Sequence, residues 1–303
     1  MDMEDFMKKN MKKITLILTT FILLSLTACS SGDSSKKINI VHKNYTEQRL
    51  LGTMMGQYVE TLGYDANVTE LGGSMLVFEA IKSGDADLYA EYTGTAYGAY
   101  LNQSETLPSD ETFKFVKDSF ESEYGITWLE PFGFNNTYVL SIPQTVADEY
   151  GIVTISDLEE VSDQLILGSD SEFPNRDDGL PGLQIVYPNL EFKNVKTMDQ
   201  GLLYPALENG EIEVVVAYAT EGKLKKYGLI NLVDDKAFFP PYDCAPIINM
   251  EFAESHQDVV DALNKLANTF SDSDMQEYNL LVDEGESVED VAALMLSDRG
   301  ITQ

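Results

Sequence analysis

The chain of 303 residues has only two histidines (His42 and His256), two cysteines (Cys29 and Cys244) and one tryptophan (Trp128). It therefore lacks a Cys-His ligand spacing for a metal and a Ser-His or Cys-His pairing for nucleophilic catalysis. A Gly-rich phosphate loop is missing as well, so nucleotide chemistry has no parts to work with. No catalytic residue, metal or cofactor is expected, and the chain is not read as an enzyme. Basic residues are scarce too: 20 Lys+Arg face 51 Asp+Glu, for a net charge of −31. That balance excludes nucleic acid and anionic membrane surfaces as partners. It serves solubility, and its field also concentrates cationic ligands. Tyrosine, in contrast, is plentiful, with 16 residues against the single Trp.

The N-terminal region reads as a leader. Met11-Lys12-Lys13 precedes an apolar run from Ile14 to Leu26 and then Thr27-Ala28-Cys29, the pattern of a secretory signal with a small-residue cleavage site. The run is short for a membrane span, and no later stretch approaches the roughly 20 apolar residues that one needs. Residues 1–28 are read as the signal peptide, with Met1, Met7 or Met11 as the translation start. Leu26-Thr27-Ala28-Cys29 resembles the bacterial lipoprotein box, which implies a lipid on Cys29. Residues 29–37, rich in Ser and Lys, have the composition of a flexible tether. The leader holds four Lys and three acids, which leaves 16 basic and 48 acidic residues and a net of −32. With Cys29 lipidated no disulfide is expected, and about 270 residues must stand on their own core.

The chain is organised around Asp87-Leu88-Tyr89-Ala90-Glu91-Tyr92-Thr93-Gly94-Thr95. An apolar helical run from Met75 to Lys82 is stopped by Gly84, a short strand follows, and a polar turn carries Tyr92 and Thr95. In α/β proteins ligands meet the carboxyl ends of strands, which places these two residues at a candidate site. The plan recurs. Ser83-Gly84-Asp85-Ala86-Asp87 through Tyr92 is matched by Asn209-Gly210-Glu211-Ile212-Glu213 through Tyr218, with a Tyr eight residues past the glycine in each copy. Two α/β lobes, each contributing one Tyr to a shared cleft, are the architecture this suggests.

Elsewhere, Ile38 to Val41 reads as a buried strand, and Leu50, Leu51, Met54, Met55, Tyr58, Val59 and Leu62 recur with a helical period that Gly63 ends. Gln48, in the first turn of that helix, either caps backbone groups or reaches into a cleft. Ala66 to Leu71 is a second strand. A helix is expected over 111–124, and Asn136 and Tyr138 project from one face of an extended segment. Short helices fit 146–150, 155–161, 183–187 and 201–208; a strand fits 165–168 and a surface loop 169–182. Phe238-Phe239-Pro240-Pro241-Tyr242-Asp243 marks a chain reversal or crossing that pins Tyr242, because neither proline donates to a sheet. Helical patterns cover 259–270 and 288–296.

Lys43-Asn44-Tyr45-Thr46-Glu47-Gln48, Glu91 to Thr95, Phe134-Asn135-Asn136-Thr137-Tyr138, Asp178-Gly179-Leu180-Pro181-Gly182-Leu183, Ala217-Tyr218 and Tyr242-Asp243 occur in this order over nearly the whole mature chain. Together they resemble the osmoprotectant-binding proteins of ABC importers, the glycine betaine/carnitine/choline-binding lipoproteins of Gram-positive bacteria. The resemblance implies an α/β, type II periplasmic-binding-protein fold, with two lobes joined by two crossing strands. Lobe 1 would comprise 38–136 and 242–303, and lobe 2 would comprise 137–241. It also implies a Tyr cage of Tyr92, Tyr138, Tyr218 and Tyr242, with Gln48, Thr95 and Asn136 as polar neighbours. A monomer anchored through Cys29 at the outer face of the cytoplasmic membrane would deliver its ligand to a permease driven by a separate ATPase. Val216 and Ala219 depart from the family pattern beside Tyr218.

Physics supports a cage for such ligands. A quaternary ammonium has no N–H to donate, whereas an aromatic face attracts its diffuse charge by about 0.5–2 kcal/mol. Micromolar affinity requires about 8 kcal/mol, so polar contacts and lobe closure must add to four faces. Thr95 and Asn136 are neutral donors suited to a ligand carboxylate. The competing expectation is an amino-acid-binding lipoprotein of the same fold, with Arg176 clamping the carboxylate.

Overall fold

Strand β1 (Lys37–His42) opens a strict alternation with α1 (Thr46–Thr61), β2 (Asp65–Glu70), α2 (Ser74–Ser83) and β3 (Leu88–Tyr92). The computed structural model describes residues 36–171, 173–175, 179–198 and 200–301. The expected signal peptide, Cys29 and Arg176 lie outside the described residues. Helix α1 buries Leu50, Leu51, Met54, Met55, Tyr58 and Val59, the stripe that the helical period demands. Helix α2 ends at Gly84, whose φ of +79° is a left-handed conformation that side-chain-bearing residues avoid. All five residues of β3 are buried, as a central strand covered on both faces requires.

Strand β3 pairs in parallel with β1, Ile40 facing Leu88. After α3 (Ser109–Tyr124) and β4 (Ile126–Trp128), the sheet is completed by β10 (Cys244–Asn249), which returns from far along the chain. It runs antiparallel to both β3 and β4, and the order is β2-β1-β3-β10-β4. The second sheet is built from residues between these two passages: β5 (Tyr138–Pro143), α4 (Gln144–Tyr150), α5 (Ile155–Glu159), β6 (Ile166–Ser169), α6 (Leu180–Val186), β7 (Asn194–Thr197), α7 (Gln200–Glu208), β8 (Val214–Tyr218), α8 (Gly222–Lys226) and β9 (Leu229–Asn231). Its order is β7-β6-β8-β5-β9. Four helices, α9 (Met250–Ser255), α10 (Gln257–Leu263), α11 (Asp272–Asp283) and α12 (Val288–Asp298), complete the chain.

Each sheet is buried on both sides. Leu88, Ala90 and Tyr92 pack into one core with α1 and the C-terminal helices, whereas Tyr89 faces a second core with α2 and α3. In the other lobe Val214 and Val216 face one core and Val215 and Ala217 the opposite one. This is the two-lobed α/β fold that the sequence implied. Trp128 is fully buried in a lobe core and contributes nothing to a cleft.

The repeated Gly-acid-strand-Tyr plan has a structural meaning. Gly210, like Gly84, has a positive φ, +68°. The second acid of each copy then accepts a backbone N–H of the neighbouring parallel strand. Asp87 Oδ2 takes Asn39 N at 2.7 Å, and Glu213 Oε2 takes Ile166 N at 2.8 Å. Both tyrosines end their strands.

Residues 135–137 and 240–243 run side by side between the sheets. Asn135 pairs antiparallel with Asp243, and Asn136 N donates to Tyr242 O at 3.1 Å. The carbonyls of Pro240 and Pro241 accept from the hydroxyls of Thr137 and Thr93. The tail departs from expectation in two places. The helix expected over 259–270 stops at Leu263, because Asn268 N and Phe270 N are drawn to the carbonyls of Pro131 and Phe132. Helix α11, which the sequence reading left unassigned, follows it.

Candidate ligand cleft

The segment after β1 and the end of β3 form one wall of a cleft of about 600 Å³, a size suited to a small molecule. Lys43, Tyr45, Thr46 and Glu47 line it from the β1–α1 turn, and Tyr92 and Thr95 from the turn after β3. Asn136 and Tyr242 come from the crossing segments, and Asn279 from α11. The opposite wall carries Tyr138, Tyr218, Thr220, Glu221, Gly222 and Lys223. All four tyrosines expected in the cage, with Thr95 and Asn136, thus border a single cavity.

The tyrosines are held rigidly and by different means. Tyr138 and Tyr218 face each other across the β5–β8 ladder. Their rings stack at 4.8 Å with 29° between planes, and Tyr218 donates its hydroxyl to that of Tyr138 at 3.2 Å. Phe173 and Phe239 flank Tyr138, with ring centroids 5.7 and 6.0 Å from its own. Tyr242 has its backbone N–H bound to Asn135 Oδ1 at 2.7 Å, and its ring lies on Gly94. A Cβ at Gly94 would fall 2.7 Å from the ring carbons of Tyr242, so the Gly of Glu-Tyr-Thr-Gly-Thr is the seat of that ring. Tyr92 is almost wholly buried and donates its hydroxyl to Glu47 Oε1 at 2.6 Å. Burial, and then the Glu47 charge, push the Tyr92 phenol well above its ordinary value, so it remains a neutral donor.

Gln48, expected among the polar neighbours, does not line the cleft. It is fully buried, with Nε2 donating to Ala90 O at 2.8 Å and Oε1 accepting from Lys43 N at 3.3 Å. It joins α1 to β3 from behind the wall, and of its two readings the backbone-capping one describes its place. Lys43 is also buried and is paired with Glu91 at 2.8 Å; Glu91 in turn accepts from Tyr100 and from Tyr92 N.

Sequence reasoning passed over Tyr45, Glu47, Thr220, Glu221, Lys223 and Asn279. Tyr45 keeps 39% of its surface exposed. Glu47 accepts from Asn136 Nδ2 at 3.0 Å and Asn279 Nδ2 at 3.1 Å, besides Tyr92. Burial raises its carboxyl above the usual range, and these hydrogen bonds oppose the rise. Tyr45 and Glu47 were findable, since their turn follows the carboxyl end of a parallel strand just as Tyr92 does. Asn279 was not, because its helix went unread.

The walls also touch each other directly. Gln276 Nε2 of α11 donates to Ala219 O at 2.7 Å, and Asn279 Nδ2 to Thr220 O at 2.9 Å. Between them Gly222 lies against the backbone of Leu280. Two mixed sheets, two crossing segments and an aromatic cleft between the lobes define a type II substrate-binding protein. Residues 36–297 match the family described as the substrate binding domain of the ABC-type glycine betaine transport system, and the chain belongs to that family. A carnitine transport binding protein of Listeria monocytogenes is 32% identical over 285 residues, covering 90% of this chain and 92% of that protein. A glycine-betaine-binding protein of Pseudomonas aeruginosa is 34% identical over 276 residues, covering 87% and 88%. A solved structure titled as a glycine betaine/carnitine/choline ABC transporter superposes with a TM-score of 0.83 at 29% identity, covering 87% of this chain and 99% of that one.

Proposed function

We propose that the protein captures quaternary ammonium osmoprotectants (glycine betaine, carnitine, choline and proline betaine) and delivers them to the permease of an ABC importer whose ATPase is a separate chain. Capture involves no chemistry. Tyr92, Tyr138, Tyr218 and Tyr242 enclose the ammonium head beside Asn136, whose Nδ2 donates to Glu47, while Thr95 meets the polar end of the ligand. Anchored by a lipid on Cys29 at the outer face of the cytoplasmic membrane of a Gram-positive cell, the monomer works as the extracytoplasmic component. Ligand shifts the open and closed forms only as far as it prefers the closed one.

The observation that carries this reading is the convergence of four tyrosines from both walls on one cavity, two of them stacked at 4.8 Å. Ring faces, unlike hydrogen-bond acceptors, bind a cation that has no N–H. An amino-acid binder with an arginine clamp is not favoured, because no arginine among the described residues lines the cleft. The test is calorimetric titration of the soluble chain, begun after Cys29, with glycine betaine and its tertiary-amine analogue dimethylglycine. Tight betaine binding, much weaker analogue binding, and loss of both in Tyr218→Ala are expected. Absence of heat with betaine, carnitine and choline would overturn the proposal.

A further inference from the structure

Among the described residues Glu47 is a buried carboxylate with no cationic partner. It is 3% exposed, and each hydrogen bond that reaches it comes from a neutral donor: the hydroxyl of Tyr92 and the amides of Asn136 and Asn279. Lys43, the nearby buried cation, is committed to Glu91 at 2.8 Å. A buried charge is normally paired, and desolvating one without a counter-ion is unfavourable. Burial works against ionisation of Glu47, and the hydrogen bonds from Tyr92, Asn136 and Asn279 oppose that rise by stabilising the carboxylate. The residue borders the cavity and holds the hydroxyl of Tyr92, itself part of the proposed cage.

We infer that Glu47 is the fixed counter-charge for the ligand's ammonium group, and that it sets the preference of the cleft for a cation over a neutral molecule of the same shape. The inference rests on the proposed quaternary ammonium ligand. Two routes carry the effect. The charge acts directly across a low-dielectric wall, where screening is weak. It also polarises the Tyr92 phenol through their 2.6 Å hydrogen bond, making that ring a better face for a cation. A ligand carboxylate would be repelled from this end of the cleft, so zwitterions bind with the ammonium end toward Glu47.

Choline and its uncharged isostere 3,3-dimethylbutan-1-ol, in which carbon replaces nitrogen, separate charge from shape. Both are titrated into wild type and Glu47→Gln. Choline affinity should fall roughly ten- to a hundredfold in the variant, while the isostere changes by no more than about threefold. Equal losses for the two ligands would show that Glu47 only holds the wall together, and would overturn the inference. Should Glu47→Gln fail to fold, Glu47→Asp decides. There the charge persists, so the choline-to-isostere ratio should stay within about threefold of wild type even if both affinities drop; a collapsed ratio refutes the role. A wild-type protein that binds neither choline, betaine nor carnitine would instead overturn the functional proposal, and the inference with it.

Discussion

Replacing Gly222 by alanine should hold the lobes apart without unfolding either. The added Cβ would lie 2.5 Å from Leu280 N and 2.6 Å from its Cα, both backbone atoms of α11 that cannot swing aside. Restoring ordinary contact requires the two helices to separate by about 1 Å at this point. The hydrogen bonds beside it, Gln276 to Ala219 at 2.7 Å and Asn279 to Thr220 at 2.9 Å, would then stretch beyond useful length. Two net hydrogen bonds at about 0.5–1.5 kcal/mol each amount to about 1–3 kcal/mol, or a roughly 5- to 150-fold loss of affinity. The exposed pairs Lys225–Glu277 and Lys226–Glu284 add little. Calorimetric titration with glycine betaine reads the loss, and melting without ligand should leave Tm within a few degrees of wild type. An unchanged Kd would refute the argument that this contact limits closure.

Glu213→Ala should leave the Ile166 N–H without its acceptor and lower stability by about 1–3 kcal/mol, read as a lower urea midpoint. Asp157, which caps α5, has its carboxyl held below the usual range by the backbone N–H of Thr154 and then that of Val153. A group whose folded value is depressed adds stability that is complete above its unfolded value and is lost as pH falls through the folded one. NMR titration should accordingly place the Asp157 midpoint below the ordinary carboxylate range, and a midpoint at or above that range would contradict the cap.

The alternation from β1 to β3 was legible because each element has its own local period and Gly63 and Gly84 punctuate it. Tyr92 and Tyr218 were legible because the Gly-acid-strand-Tyr plan occurs twice, and a repeat carries information that a lone Tyr does not; Tyr138 and Tyr242 came into the cage through the family resemblance. Helix α11 was not, since only Met275, Tyr278 and Asn279 of its twelve residues are buried. Its capping box of Ser271 and Asp274 was nonetheless readable in the sequence. Glu47 and Gln48 show the limit most clearly. The two are adjacent in one turn, yet one borders the cavity and the other ties helix to strand, and only tertiary contacts with Ala90, Asn136 and Asn279 separate those roles.

The seating of Tyr242 on Gly94 makes the cleft behave like a caliper. Tyr92 and Tyr242 belong to one jaw, the first bound to Glu47 and the second resting on the turn after β3. Tyr138 and Tyr218 are stacked and paired across adjacent strands, so any movement of the other jaw would carry them as one block. A single coordinate, the gap between the jaws, then grades every ring contact at once. A change at a crossing segment, far from any ring face, would rescale the aperture for all ligands together rather than remove one contact from one of them.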